Sequence, residues 1–144
     1  MFDAATEFTD ATRGLRCTEV KLYAADSWSF DFEGRFSLIV QSPWRIVNDR
    51  GIALTNEDDG QKFGLPAPIN GAIKAMELLS ALRLRRVMLM EKTGDIVLEF
   101  ESDTRLEVFN NSSGYEGWNC GLPSGRQAIG RGGGTIAHLG MSSN

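Results

Sequence analysis

From Glu19 to Leu54 apolar and polar residues change places with a period of two, and the same pattern returns from Asp95 to Val108. Val20, Leu22 and Ala24 alternate with Glu19, Lys21 and Tyr23. Trp28, Phe30 and Phe32 follow against Ser29, Asp31 and Glu33, and then Phe36, Leu38 and Val40. Ser42-Pro43 interrupts the pattern and Trp44 and Ile46 resume it. A period of two places successive side chains on opposite faces of a strand, so each segment reads as a strand with one wet face. Gly34, "NDRG", "KTGD" and "ESDT" supply the turns between them, which makes the connections hairpins.

One segment departs from this pattern. After the Gly- and Pro-bearing loop "TNEDDGQKFGLPAPI" comes a helical spacing over 70–82, with Asn70 as its cap and Ile73, Met76, Leu79 and Leu82 as its apolar stripe. "LRRVMLMEK" beyond it is apolar through Val87–Met90 and reads as a central strand covered on both faces. Residues 1–14 allow either a short helix capped by Asp3 or a frayed end. "RQAIG" and "TIAHL" read as two last short strands about an "RGGG" turn. The expected fold is α+β, mainly β: an antiparallel sheet of about eight strands in hairpin meanders, with one principal helix packed on it. At 144 residues the chain suits one domain, 1–144, with one core.

Composition narrows the function classes. A net charge of −4 and a pI near 5.0 argue against nucleic-acid binding, which needs a basic face to neutralise phosphates. No apolar run reaches the length of a membrane span, and the first residues lack the apolar core of a signal peptide. The expected location is the cytoplasm, with Cys17 and Cys120 as free thiols and small packed side chains. A lone histidine, His138, leaves no histidine-rich metal site and little scope for a nucleophile–histidine pair. No catalytic residue, metal or cofactor is assigned.

Several motifs invite chemistry. "GRGGG" at 130–134 lacks the following helix and the Lys-Ser/Thr pair of a phosphate loop, and reads as a flexible turn. "NEDDG" at 56–60 lacks the alternating ligands and closing Glu of a calcium loop. Asp95, Glu99, Glu101 and Glu107 fall on outward faces of neighbouring strands. Such carboxylates share protons only if the fold brings them together; otherwise they keep a face wet. The two N-x-S patterns at Asn110 and Asn111 are incidental without a secretory route.

The strongest candidate is "FNNSSGYEGWN". Asn110, Asn111, Tyr115, Glu116 and Trp118 put shaped-turn residues next to two aromatics and a carboxylate. Aromatics beside a charge are common interface anchors, and equally common as packing groups. In an extended segment Glu116 and Trp118 share a face and suit a basic or hydroxylated group.

The run "GDIVLEFESDTRLEVFNNSSGYEGWN", with "SPWRIV" upstream and the late Gly-rich turn, resembles a group of small uncharacterised bacterial proteins. These share a "GDLxLxF" strand, a strand ending "LEVF" and then "SGYEGW". The resemblance carries no activity. Small acidic proteins of this size include immunity proteins against bacterial toxins, so it implies a protein partner. Asn119-Cys120 stands where that pattern has a further apolar residue, which leaves the strand after Trp118 open.

Four uses of the chain follow as expectations. The first is a non-enzymatic, immunity-like binder of a protein. The second is a small-ligand domain with a pocket between helix and sheet, lined by Trp28, Phe30 and Trp44. The third is an enzyme built on Asp95, Glu99 or Glu116 with Tyr115. The fourth is a homodimer joined through open strand edges. A neighbouring toxin gene is the observation that would most favour the first.

Overall fold

The computed structural model describes residues 4–24 and 26–140. In chain order the elements are α1 (Ala4–Thr12), β1 (Cys17–Leu22), β2 (Trp28–Phe32), β3 (Ser37–Val40), β4 (Trp44–Asn48) and β5 (Gly51–Thr55). Then follow α2 (Gly71–Leu79), β6 (Leu84–Met90), β7 (Asp95–Phe100), β8 (Arg105–Val108), β9 (Trp118–Gly121), β10 (Gln127–Gly130) and β11 (Ile136–Leu139). The chain is mainly β, and every strand pairing is antiparallel.

The strands form two sheets rather than one. Six make the order β1-β2-β3-β9-β10-β11 and five make β5-β4-β8-β7-β6. The expectation of about eight strands in a single sheet is therefore corrected to eleven in two among the described residues. Alternation tells which face of a strand is wet but not which sheet it joins. The Ser42-Pro43 interruption is where the chain leaves the first sheet for the second.

The inner faces of the sheets pack on each other. Trp44 of β4 meets Trp28 and Phe30 of β2 edge-on, with ring centroids 5.0 and 5.2 Å apart. Phe32 stacks on Phe100 across the same interface at 6.1 Å. Ile96, Leu98, Phe100, Leu106 and Val108 point inward as the alternation predicts, and all are buried. One hydrophobic cluster draws on both sheets and both helices.

Two expectations fail at the sheet edges. The segment 84–90 is not a central strand: β6 ends the second sheet. Its outer side is covered by α1, where the Thr9 hydroxyl accepts from Val87 N at 2.9 Å and donates to Val87 O at 3.2 Å. That pair of bonds satisfies edge groups that would otherwise face solvent. In β1 only Cys17 and Val20 are buried, while Leu22 and Ala24 are exposed. A register shift between Cys17 and Glu19 lets Cys17 and Val20 both be buried although they stand three apart.

Among the described residues there are two α-helices, not one. α1 occupies the first segment, and Asp3, its expected cap, lies outside the described residues. α2 has the expected cap, with Asn70 Oδ1 accepting from Ile73 N at 3.0 Å, but its buried stripe is Gly71, Ala75 and Leu79. Ile73 faces solvent. The closest approach is made by Gly71, where a Cβ would lie 2.8 Å from the Trp28 ring. Small residues let α2 sit close to the first sheet and turn its larger Ile outward.

Candidate functional site

The candidate segment runs between the sheets. β8 lies in the second sheet and β9 in the first, so Phe109–Gly117 carries the chain back across. It runs beside the outward crossing at Gln41–Pro43: Phe109 N donates to Pro43 O at 2.9 Å and Gln41 N to Gly117 O at 2.7 Å. β9 then enters the middle of the first sheet, between β3 and β10. The strand left open after Trp118 is thus present. Trp118 and Cys120 point inward and Asn119 stands between them half-buried, so Cys120 serves as the apolar strand residue.

Trp118 is 1% exposed, and its indole Nε1 donates to Gly94 O at 2.7 Å. This bond ties the crossing to the β6–β7 hairpin. Asn110 makes two similar ties: its N–H donates to Asp95 Oδ1 at 2.8 Å and its Nδ2 to Arg131 O at 2.6 Å. Glycines allow three loops to meet here. A Cβ at Gly130 would fall on the Trp118 indole, one at Gly132 on Gly114, and one at Gly134 on the Lys92 carbonyl. "RGGG" is therefore a packed turn, and its glycines are required by close backbone approach.

The other three candidate residues face outward. Ser112 Oγ accepts from Gly114 N at 3.1 Å and Tyr115 N at 2.9 Å, and Gly133 N donates to Ser112 O at 2.8 Å. These bonds fix a turn whose tip holds Tyr115 at 82% exposure, with exposed Glu116 and Asn111 beside it. Glu116 and Trp118 do not form a shared surface, because the indole lies in the core. The five residues divide into two packing groups, Asn110 and Trp118, and three presented ones.

The outward carboxylates are each engaged separately. Glu107 bridges Arg45 Nε at 2.6 Å and Arg105 Nε at 3.2 Å. Glu99 pairs with Arg86 at 3.1 Å. Glu101 accepts from Arg83 N at 2.9 Å, and Asp95 from Asn110 N. Glu107 also draws Arg45 alongside Phe109, with the guanidinium 5.0 Å from the ring centre. At the start of "NEDDG", Asp58 and the preceding Thr55 form a reciprocal cap on a single 3-10 turn. No group of three or more metal-ligating side chains suits a metal ion among the described residues.

Neither thiol is set up for nucleophilic chemistry. Cys17 and Cys120 are free and buried, and burial pushes both thiols up to about 12. Trp28, Phe30 and Trp44 are buried in the core, and none of them lines a hollow between α2 and β1. A hollow of about 360 Å³ does lie between α2 and β1, lined by Val20, Ala72, Ile73 and Met76 among others. A pocket between helix and sheet was expected, but with other walls, because its lining depends on the phase of α2. Alternation missed the buried Arg126, whose Nε donates to Glu7 Oε1 at 2.8 Å. No described helix is long and apolar enough to cross a membrane. Comparison with protein-family models, curated proteins and solved structures finds no match.

Proposed function

We propose that the chain is a non-enzymatic protein-interaction domain, an immunity-like binder of a protein partner in the bacterial cytoplasm. The observation that carries this reading is the presentation of Tyr115. A large aromatic is held almost fully in solvent on a turn fastened at three points, beside a free-standing glutamate. Pre-ordering the turn that carries this side chain lowers the entropy lost on binding, and tyrosine is a frequent interface anchor. The negative net charge suits a basic partner, whose approach it would speed.

Affinity capture from the native host, paired with coexpression beside any neighbouring toxin gene, tests this. The wild-type chain is expected to hold a partner or protect against the toxin, and Tyr115→Ala with Glu116→Lys to lose that effect while remaining folded. Absence of any partner or protection sinks the proposal.

A second reading, a small-ligand domain, has the hollow between α2 and β1 in its favour; a thermal-shift screen without a hit removes it. Self-association is supported by Ile52, 60% exposed on the outer strand β5. Sedimentation as a monomer at micromolar concentration removes that one.

A further inference from the structure

Two neighbouring hollows lie along β1, the first against α2 and the second between the end of β1 and the 56–59 turn. The first is the apolar one described above, and the carboxylates lining it are Glu19 and Glu77. The second, about 290 Å³, has Leu22 and Trp28 as its apolar part and is otherwise lined by Asn56, Asp26, Glu57 and Asp59. The start of α2 stands between them, where Gly71 N donates to Asp59 Oδ1 at 2.7 Å and Gly71 touches Trp28. Five carboxylates thus line the two hollows, and no lysine or arginine does. Lys21 pairs with Glu19 at 3.4 Å, but both are half in solvent and the pair screens little.

The 60–69 loop leads directly into α2. Its base is closed by Gly60 N donating to Ile69 O at 2.8 Å and Ile69 N to Gln61 O at 2.9 Å. At its tip Leu65 N donates to Lys62 O, and Phe63 and Gly64 both take positive φ, 46° and 80°. Phenylalanine rarely adopts that backbone. Here it stands 67% exposed, followed by exposed Leu65. Exposed apolar groups also stand on the other segments that meet here, Leu22 and Tyr23 at the end of β1 and Ile73 on α2.

We propose that the β1–α2 seam and the 60–69 loop form a docking face for a basic segment of a protein partner. Lysine or arginine side chains meet Glu19, Glu77, Glu57 and Asp26, while apolar residues of the same segment fill the hollows and cover Ile73 and Phe63. Charge selects the occupant. The five carboxylates outnumber Lys21, Lys62 and Lys74 on the same segments, so a second copy would set like charges against each other and phosphate-bearing partners would be repelled. The inference rests on the protein-interaction reading but assigns it a face separate from Tyr115.

The test uses the isotope-labelled full chain titrated with an amphipathic lysine–leucine peptide and with its glutamate–leucine counterpart. The lysine peptide is expected to saturate, with amide shifts concentrated at Val20, Leu22, Ile73 and Met76, and to weaken as salt is added. The glutamate peptide is expected not to bind. Glu19→Lys with Glu77→Lys, and separately Phe63→Ser, are each expected to weaken the lysine peptide about tenfold, and Tyr115→Ala to leave it unchanged. These positions are exposed, and thermal unfolding checks that each variant folds. Equal binding of both peptides, shifts lying elsewhere, or undiminished binding by both seam variants overturns the assignment, as does a dimer closed by this face. If the native partner is lost only with Tyr115→Ala, the interaction reading survives and the seam assignment falls.

Discussion

Trp118 and Tyr115 belong to one short loop and meet opposite environments. The indole is enclosed and hydrogen-bonded to Gly94 O, while the phenol stands in solvent. Trp118→Ala removes a buried aromatic and leaves a carbonyl without its donor, and is expected to cost about 3–5 kcal/mol in denaturant unfolding. Tyr115→Ala is expected to stay within about 0.5 kcal/mol of wild type. Equal losses for the two would contradict the packing described here. The thiols make a second prediction at this scale. An unfolded thiol ionises near 9.0, whereas the folded chain holds Cys17 and Cys120 up to about 12. Between those values the unfolded state has released protons that the folded state keeps, so stability falls as pH rises through that window and is unaffected below it. Denaturant midpoints measured from pH 8 upward are expected to drop less steeply in the Cys17→Ala/Cys120→Ala variant. Thiol reagents at neutral pH are expected to label neither residue until the chain is unfolded.

At the scale of elements, the turns decide as much as the strands. Gly134 and Gly125 share a φ of +95°, but a Cβ at Gly134 would strike Lys92 O while one at Gly125 meets open space. Both alanine variants bear the backbone strain, and only Gly134→Ala adds a collision between loops. It is expected to be the less stable by at least about 1 kcal/mol in thermal or denaturant unfolding; equal losses would mean that the loop contact is easily relieved. The strands themselves were largely legible. Trp28, Phe30, Phe32, Leu38, Val40, Leu98 and Leu106 alternate in sequence and are buried in the fold. The cap at Asn70 was legible too, because it depends only on the residues beside it. The stripe of α2 was legible in part: Leu79 is buried and Met76 and Leu82 pack against the core, but Ile73 is exposed. Ile73 has the right spacing to be buried, but the helix is turned so that Gly71, Ala75 and Leu79 face the sheet, with Gly71 close against Trp28. Likewise Val87–Met90 looks like a central strand because it is apolar, yet it is an edge whose cover comes from Thr9, 78 residues earlier.

At the scale of the whole molecule, the core joins both sheets through Trp28, Phe30 and Trp44. Loss of either sheet strips the other of its buried face, so a single cooperative transition is expected. Tryptophan fluorescence and far-UV circular dichroism should give coincident unfolding curves; separated midpoints would show that the sheets unfold apart. The sequence by itself determined the strand faces, the hairpin turns, the helix cap and the aromatic character of "GYEGW". Each of these depends on residues within one or two turns of each other, where period and local hydrogen bonding are direct consequences of residue order. Only the tertiary structure decided which sheet each strand joins, that Trp118 is enclosed while Tyr115 is presented, and that carboxylates from β1, the β1–β2 turn, the 56–59 turn and α2 line two hollows. Those outcomes depend on residues far apart in the chain competing for the same space. A pattern of polar and apolar positions says that a side chain must be covered, but not by what.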